Sequence, residues 1–502
     1  MKILLTSMSI EDNSRFPYFS NTSYPLGLAY LYSILEKNGH EVRLEFLNNY
    51  SHEYSEKKIL DIMNNWKPDI TGFQIFSMTR VSSFKMIERV HNDFPKIKII
   101  IGGVHATIMY EQILLKYPWI IAVLGEAEQT IIELISALKT NENFESIKGI
   151  AYNEKGIVKK TGDRELIQEL DLLPLPKHDV FFDNDPERTT AHMITSRGCP
   201  FDCSFCCLKL ISKQRLRKRG IENVVEEIVL LKKKYPRLTH IQFHDDTLLI
   251  DNKRVIEFCK LLIKENLNIT FECSARVKPI SYEMFYWLEK AGCKKIMFGL
   301  ETGSQKLWES THKKIKKSDL TDLFKLLKKF KFTVTTFLMC GFPGENNETV
   351  KETVETVRQI QRIKYSWIAG VGKLWIYPGT EVYEIMKQSG KIDDDYWMTE
   401  KDVPFNTTEY SLEELIKFEN EIMDNVSLER IFTIKGFYKH FLKMPFTIIR
   451  FLLQNPGHLG RLKHNSDTFF GWTFKAIEIF KKIIYLPFRV FRKIFKIITK
   501  RK

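Results

Sequence analysis

The chain has 502 residues, of which 44% are hydrophobic and 27% charged, a composition typical of a globular protein with two or three domains. Its net charge of +14 is concentrated at one end, because residues 430–502 hold 17 Lys or Arg against 2 Asp or Glu, whereas residues 1–429 are close to neutral. This distribution argues against a nucleic-acid-binding body and favours a C-terminal region with a partner of its own.

The eight cysteines all lie between residues 199 and 340, which is not the distribution of a secreted disulfide framework. The start of the sequence also lacks the long apolar stretch of a signal peptide. We therefore expect a reduced, cytoplasmic protein. Four of the cysteines stand apart from the others in apolar segments and are expected to be core residues, namely Cys259, Cys273, Cys293 and Cys340.

Residues 1–140 alternate short apolar strands with amphipathic helices. Strands are predicted at residues 2–6, 41–46, 70–76, 96–101 and 122–124. The clearest helix covers residues 24–37 and ends at Gly39. This rhythm predicts an α/β domain with an open, Rossmann-like and mostly parallel sheet, which binds ligands outside the carboxyl ends of its strands.

A looser connector with hairpin character is predicted at 141–190, and the strand–helix rhythm then resumes over 191–400. Strands are predicted at residues 192–195, 240–244, 270–274, 295–299, 333–340 and 366–374. Six such units indicate a partial, open (β/α)6 TIM-like barrel rather than a closed eightfold one. Residues 401–502 are predicted to be a helical C-terminal region, with a capping box at Ser411–Glu414.

Three cysteines follow the first barrel strand in a C-x3-C-x2-C pattern: Cys199, Cys203 and Cys206. Three closely spaced thiolates can hold three irons of a [4Fe–4S] cluster and leave the fourth iron open to a substrate. The alternatives are buried free thiols or a zinc site with Cys207 as the fourth ligand. A zinc site would require the adjacent residues Cys206 and Cys207 both to turn inward.

The cysteine pattern, with the aromatic Phe205 before its last member, resembles the motif of the radical S-adenosylmethionine (radical SAM) superfamily. The resemblance implies that the open iron chelates SAM through its amino and carboxylate groups. It also implies that an electron from the cluster cleaves SAM to a 5′-deoxyadenosyl radical. An electron donor such as flavodoxin or ferredoxin is then an expected partner.

Further motifs of this family recur at the ends of the later barrel strands. They are Phe243–Thr247, Glu272–Arg276, the G-x-E-x-G-S run within Phe298–Ser304, the G-x-P-G-E loop within Phe337–Glu345, and Trp375–Thr380. The resemblance implies SAM contacts at Glu301, Arg276, Asp245, Asp246 and Gly341. Each of these residues alone could equally be a strand-end cap or half of an ion pair.

In the N-terminal domain, the runs Ile99–Thr107 and Leu124–Glu128 resemble the cobalamin-binding domain that precedes many radical SAM barrels. The resemblance implies cofactor-binding roles for Gly102, Gly103, Gly125 and Glu126, although Gly-Gly after a strand is also an ordinary turn. The D-x-H-x-x-G motif of the wider cobalamin fold is missing, since residues 7–13 contain no His. Cobalamin would then lack a His lower ligand, or the domain would be degenerate and bind none.

Together these resemblances imply a radical SAM enzyme, most simply one that performs cobalamin-dependent C-methylation of an unactivated carbon on a lipid or isoprenoid. A radical cyclase or C–C bond-forming lipid-modifying enzyme without methyl transfer is the nearest alternative. A non-catalytic corrinoid-binding regulator is a third. The sequence assigns no catalytic side chain.

The lipid hypothesis comes from residues 469–502. Cations recur every seven residues at Lys475, Lys482, Arg489 and Lys496, with aromatic and branched residues between them. No apolar run is long enough to span a bilayer. A basic amphipathic helix suits a membrane surface and predicts a peripheral position on its inner face, although the same pattern would also let a helix pack on the barrel.

Overall fold

The protein is described here by a computed structural model covering residues 1–10, 24–406 and 409–426. The predicted membrane-binding tail, residues 469–502, and the predicted helical region beyond residue 426 lie outside the described residues. Within the described part, residues 1–426 form one compact unit.

The first sheet contains seven strands. They are β1 (Lys2–Ser7), β2 (Glu41–Phe46), β3 (Ile70–Gln74), β4 (Lys98–Gly102), β5 (Ile120–Val123), β6 (Ile150–Glu154) and β7 (Ile157–Lys160). The spatial order is β2-β1-β3-β4-β5-β6-β7, with β1 to β5 parallel and the β6–β7 hairpin joined antiparallel to β5. The predicted parallel sheet is confirmed, and the hairpin predicted in the connector extends it.

Helices cover both faces of this sheet. They are α1 (Leu26–Lys37), α2 (His52–Asn65), α3 (Arg80–Asp93), α4 (Val104–Lys116) and α5 (Glu128–Thr140). The apolar run of β4 shows why: Ile99 and Ile101 pack into one core, and Ile100 packs into another on the opposite face. The strand order 2-1-3-4-5 places a topological switch point between β1 and β3, where sheets of this kind bind ligands.

The second sheet is the predicted partial barrel. The strands in this part of the protein are β8 (Thr190–Met193), β9 (Ser196–Arg197), β10 (Arg217–Lys218), β11 (His240–Phe243), β12 (Thr270–Ala275), β13 (Cys293–Glu301), β14 (Thr333–Cys340) and β15 (Trp367–Lys373). Six of them form a parallel sheet in the order β15-β14-β13-β12-β11-β8, while β9 and β10 pair as a small antiparallel ribbon. The sheet is open because β8 and β15 are its two edges.

Helices again follow the strands. They are α6 (Asp179–Phe182), α7 (Leu208–Ser212), α8 (Ile221–Lys234), α9 (Asn252–Glu265), α10 (Tyr282–Lys290), α11 (Gln305–Ser310), α12 (Lys317–Leu327), α13 (Asn347–Ile363), α14 (Glu381–Gln388) and α15 (Leu412–Val426). On β12, Phe271, Cys273 and Ala275 are buried in the core, whereas the intervening residues are only half-buried and line the opposite, inner face of the barrel. All four cysteines predicted to be core residues are buried.

A shared core joins the two sheets. It packs residues of the first domain such as Phe73, Ile75 and Met109 together with barrel-end residues such as Phe342 and Trp397. Each fully buried side chain of this size contributes roughly 1.5–3 kcal/mol. The carboxyl-end loops of the barrel are therefore held against α3 and α4 of the first domain.

A buried polar chain forms a second connection between the domains. The hydroxyl of Tyr24, just before α1, lies 2.5 Å from Nδ1 of His178, and Nε2 of His178 lies 2.7 Å from Glu227 on α8. The other oxygen of Glu227 pairs with Arg219 at 2.6 Å, and Tyr24 also accepts a hydrogen bond from the backbone of His192 at 3.0 Å. Although burial opposes it, His178 and Arg219 hold the pKa of Glu227 below its usual range.

Among the described residues, no helix is both long and apolar enough to cross a bilayer.

Candidate active site

The loop that carries the three cysteines begins at a glycine that the geometry requires. Gly198 has φ +89°, and a Cβ atom placed on it would lie 2.2 Å from the carbonyl oxygen of Arg215. The loop therefore leaves β9 pressed against the segment that leads into β10. Cys203 is buried, Cys199 and Cys206 are partly exposed, and the amide of Cys206 donates to the carbonyl of Cys203 at 3.0 Å. We call residues 198–206 the cluster loop.

The thiols of the cluster loop are largely shielded from solvent, and one of them has a hydrogen-bond donor beside it. Burial raises the pKa of Cys206 to about 12 and also raises the pKa of Cys199, so free thiols here stay protonated. Nη1 of Arg276 lies 3.4 Å from the sulfur of Cys203 and can donate to it. Three thiolates at C-x3-C-x2-C spacing with a donor to one sulfur form a donor set that fits a [4Fe–4S] cluster with one open iron.

Cys207, the candidate fourth ligand of a zinc site, takes another position. It is the N-cap residue of α7 and lies near the buried hydroxyl of Tyr377. Among the described residues, no three His, Cys, Asp or Glu side chains gather closely enough to hold a single metal ion.

The two aspartates after β11 bind the start of the cluster loop and the residues just before it. Asp245 is buried and accepts hydrogen bonds from the Thr195 amide at 2.9 Å, the Thr195 hydroxyl at 2.7 Å and the Ser196 hydroxyl at 2.5 Å. Asp246 is exposed in the mouth of the barrel and accepts from the Gly198 amide. Although part of the Asp246 side chain is accessible, its partial desolvation in the barrel mouth and the adjacent Asp245 carboxylate raise the pKa of Asp246 to about 6. Asp245 thus holds the start of the loop, while Asp246 keeps an oxygen accessible, and SAM contact by either remains a prediction.

Arg276 and Glu301 lie beside the same loop. The guanidinium of Arg276 stacks on Phe201 at 3.8 Å from the ring centroid and donates to the Lys313 carbonyl. Glu301 pairs with the Lys313 ammonium at 2.8 Å, and a Cβ on Gly299 would lie 2.5 Å from the Glu301 carboxylate. The structure therefore brings both predicted SAM contacts to the cluster loop, and it gives each a protein partner as well.

The G-x-P-G-E loop is held by a glutamate that the sequence-based site did not include. The carboxylate of Glu345 accepts from the amides of Gly341 and Phe342, and burial raises its pKa to about 7. Asn406 donates to the Gly341 carbonyl at 2.9 Å, and the ring of Phe342 lies 5.7 Å from that of Phe205. Gly341 thus belongs to a fixed loop that packs on the cluster loop through Phe342.

The inner face of the barrel adds polar groups that the sequence motifs do not reveal. Nδ1 of His192 lies 2.6 Å from Nε2 of His244, and His244 is exposed in the mouth. Deeper inside, Glu272 lies 3.0 Å from the Lys295 ammonium and 3.7 Å from His240. Strict alternation along β11, β12 and β13 is the signal that could have indicated these residues.

In the first domain, the predicted glycines and Glu126 have identifiable structural partners. A Cβ on Gly103, which has φ +93°, would lie 2.9 Å from the Ile75 carbonyl, and Gly125 donates its amide to Thr107. Although burial opposes it, Arg217 and Arg197 hold the pKa of Glu126 below its usual range. Glu126 lies 2.7 Å from Arg217 and 3.4 Å from Arg197, so it ties the β5 loop to the β9–β10 ribbon.

The β1/β3 switch point has a floor of polar atoms that find no partner among the described residues. Five side chains, at the carboxyl ends of β1 and β3 or on the helices that follow β3 and β4, have a buried polar atom that no described residue satisfies: Thr6, Ser9, Gln74, Ser83 and His105. Leaving such an atom unpaired costs about 1–3 kcal/mol each. A ligand rich in amides and hydroxyls, as cobalamin is, would satisfy them, so this floor fits the cofactor.

His105 also bears on the missing lower ligand. Its Nδ1 lies 3.0 Å from the Ser77 hydroxyl, whereas its Nε2 is buried and unpartnered among the described residues. Burial and the nearby Arg80 lower the pKa of His105 to about 3, so the ring is neutral. Of the two imidazole nitrogens, Nδ1 is therefore occupied by Ser77, and only Nε2 has no partner among the described residues.

A cysteine loop with an open-iron donor set, at the mouth of a partial barrel and next to a corrin-compatible floor, defines a radical SAM protein with a cobalamin domain. Comparison with known proteins agrees. The family model of the Radical SAM superfamily matches residues 193–357, and that of the B12 binding domain matches residues 18–135.

One relative is a protein of Pyrococcus horikoshii described as an uncharacterized methyltransferase. It is 30% identical over 391 residues, which span 76% of this chain and 83% of that protein. The anaerobic magnesium-protoporphyrin IX monomethyl ester cyclase of Rubrivivax gelatinosus is 27% identical over 68% of this chain and 63% of its own length.

Among solved structures, the radical SAM methyltransferase TsrM of Kitasatospora setae shares the fold. Its TM-score is 0.65 at 16% identity, with 84% of this chain and 83% of that chain covered. The chain belongs to the cobalamin-dependent radical SAM enzymes, whose cofactors are a [4Fe–4S] cluster, SAM and cobalamin.

Proposed function

We propose that this enzyme methylates an unactivated carbon atom, with cobalamin as the methyl carrier. The observation that carries the proposal is the pairing of two sites in one compact unit: the cluster loop at the barrel mouth and the unsatisfied polar floor at the β1/β3 switch point. When bound, the cluster and SAM supply radical chemistry and cobalamin supplies the methyl group.

The chain's own residues then have separable roles in this proposal. Cys199, Cys203 and Cys206 hold the cluster, and Arg276 donates to Cys203. Asp246 offers an accessible carboxylate beside the loop for a hydroxyl or amino group of SAM. Carboxylates and cations at the mouth thereby orient SAM, while the shared core keeps the first domain pressed on the barrel.

The proposal is tested by anaerobic reconstitution of the full chain with iron, sulfide and hydroxocobalamin. The reconstituted protein should contain a bound cluster and bound corrinoid and should form 5′-deoxyadenosine from SAM. Extracts of cells that have the gene should contain a product heavier by one methylene than the corresponding compound from cells without it. Replacement of all three cysteines by Ala should abolish both cluster and SAM cleavage. Unchanged iron content and SAM cleavage in that variant would refute the ligand assignment.

A radical cyclase without methyl transfer is the second candidate, and the Rubrivivax relative is the observation that favours it. The two reactions differ in product mass, since cyclisation removes hydrogen and methylation adds a methylene. Deuterium from methyl-labelled SAM should appear in the product only if methylation takes place.

We also propose that the substrate is lipid-like and that the enzyme acts on the inner face of the membrane. The support is the basic, aromatic-rich sequence of residues 469–502, together with Phe337, which is 39% exposed on the barrel strand β14. The full chain should co-sediment with anionic liposomes, and a chain ending at Asn455 should not. Equal binding of the two would refute the membrane proposal.

A further inference from the structure

Two basic segments lie against the cluster loop. Residues 209–219 contain six Lys or Arg and no Asp or Glu, and residues 312–317 contain one His, four Lys and no acid. Some of these cations are engaged inside the protein, such as Arg217 with Glu126 and Arg219 with Glu227. Six others lie at the surface and are named together the basic face: Lys209, Lys213, Arg215, Lys314, Lys316 and Lys317.

The first segment, and Thr311 just before the second, contact the loop directly through their backbones. The amide of Ser204 donates to the Thr311 carbonyl at 3.3 Å, and the carbonyl of Arg215 is packed against Gly198. Between the segments is an open depression of about 600 Å³, lined by Asp202, Lys209, Leu210, Lys213, Gln214, His312 and Glu381. A protein docked here would lie next to the residues that hold the cluster.

The charge of this surface is only partly neutralised. Three acids face it: Asp202, Glu381 and Asp163. Lys213 lies 3.6 Å from Asp163 and Lys314 lies 3.9 Å from Asp202, and exposed ion pairs of this length contribute about 0–1 kcal/mol. The side chains of Lys209, Arg215 and Lys317 form no ion pair among the described residues. The surface therefore carries excess positive charge.

Helix stability does not explain the position of two of these cations. Lys316 and Lys317 stand at the N-terminus of α12, where the helix dipole disfavours a cation by about 0.3–1 kcal/mol. These two lysines thus lie beside the cluster loop at positions where their charge does not stabilise the helix, which favours a role in binding.

We propose that the basic face docks the acidic one-electron carrier protein that reduces the cluster. The inference rests on the proposed function, because only a bound cluster requires such a donor. The reduced carrier loses one electron, and the cluster gains it in passing from [4Fe–4S]²⁺ to [4Fe–4S]⁺, with no atom transferred. Complementary charge steers such an encounter and raises its association rate about 10- to 1000-fold.

The test measures cluster reduction in the anaerobically reconstituted full chain by stopped-flow absorbance, with a reduced flavodoxin as the probe. The triple variant Lys213→Glu/Lys314→Glu/Lys317→Glu should lower the second-order rate constant roughly tenfold or more at low salt. The difference should shrink towards 0.5 M salt, because charge interactions between exposed groups are screened there.

Two controls make the result specific. Lys57→Glu/Lys264→Glu/Lys351→Glu changes the net charge equally at three exposed lysines on α2, α9 and α13, outside the two basic segments. Reduced methyl viologen, a small cation, reports whether the cluster itself is still reducible. The rate of cluster reduction should equal that of the wild type both for the control variant with flavodoxin and for the test variant with viologen.

A second readout locates the contact without electron transfer. Carbodiimide cross-linking of flavodoxin carboxylates to the protein should join the lysines of the basic face and spare Lys57, Lys264 and Lys351. An unchanged rate, an equal loss in the control variant, a parallel loss with viologen, or cross-links elsewhere would overturn the docking site. A wild-type protein without a reducible cluster would instead remove the proposed function itself.

Discussion

Gly198→Ala should detach the cluster loop from its support while leaving most of the fold intact. At φ +89°, the left-handed backbone conformation destabilises an alanine by about 1–2 kcal/mol. Its Cβ would also lie 2.2 Å from the Arg215 carbonyl and 2.9 Å from Ser212 Cβ, so the β9–β10 ribbon must move. Overpacking of this kind adds about 1–3 kcal/mol. The expected total loss of unfolding free energy is about 2–5 kcal/mol.

Gly156→Ala is the matched control, because Gly156 has the same φ of +89° and nothing within 4 Å of its Cβ position. Denaturant unfolding of the apo-protein should therefore show a larger loss for Gly198→Ala, and the difference isolates the clash. Anaerobic reconstitution should give normal iron content in Gly156→Ala and reduced iron content in Gly198→Ala. Equal unfolding free energies and wild-type iron content in both variants would refute the role assigned to Gly198.

Three further predictions follow from buried groups. Burial raises the pKa of Glu345 to about 7, so the unfolding free energy of the wild type should fall as pH rises from about 5 to 8. Glu345→Gln lacks this titration and should gain stability relative to the wild type at pH 8, by at most about 3 kcal/mol. A difference between variant and wild type that is the same at both pH values in urea unfolding would contradict this. In the buried polar network between the domains, Tyr24→Phe should lower the unfolding free energy by about 1–3 kcal/mol and Glu227→Gln by about 3–5 kcal/mol. Losses near zero in denaturant unfolding would show that this network does not hold the domains together. On the polar floor, Ser83→Ala removes a hydroxyl that is unpaired among the described residues and should raise apo-protein stability by about 1–3 kcal/mol, but it should weaken hydroxocobalamin binding several-fold by absorbance titration. Ser82→Ala, which loses its bond to Ser9, should instead cost about 1 kcal/mol of apo-protein stability. Equal corrinoid affinity in Ser83→Ala and wild type would refute the floor.

The strands were predictable because their signal is local. In the barrel, short apolar runs bounded by polar tips occur at each of the six positions, and parallel strands bring their carboxyl ends to one edge. For this reason the sequence alone predicts that Asp245, Arg276 and Glu301 lie near the cysteine loop. In the structure all three lie at this loop or next to residues that contact it, and their binding of SAM stays a prediction.

What the sequence could not provide was the partner of each side chain. The Glu126–Arg217 pair joins residues 91 positions apart, and the His192–His244 contact joins residues 52 apart. Such contacts depend on register and domain packing, which no local pattern encodes. For the same reason Asp245 could be recognised as part of a motif, but not as the buried acceptor that holds Thr195 and Ser196.

The measurement that tests the central claim most directly is SAM cleavage by the reconstituted, reduced full chain, with 5′-deoxyadenosine quantified against bound cluster. We predict that the wild-type protein forms it and that Cys199→Ala, assayed in parallel, does not. Absence of 5′-deoxyadenosine from wild-type protein with a full, reduced cluster would contradict the account, and so would equal amounts from the variant.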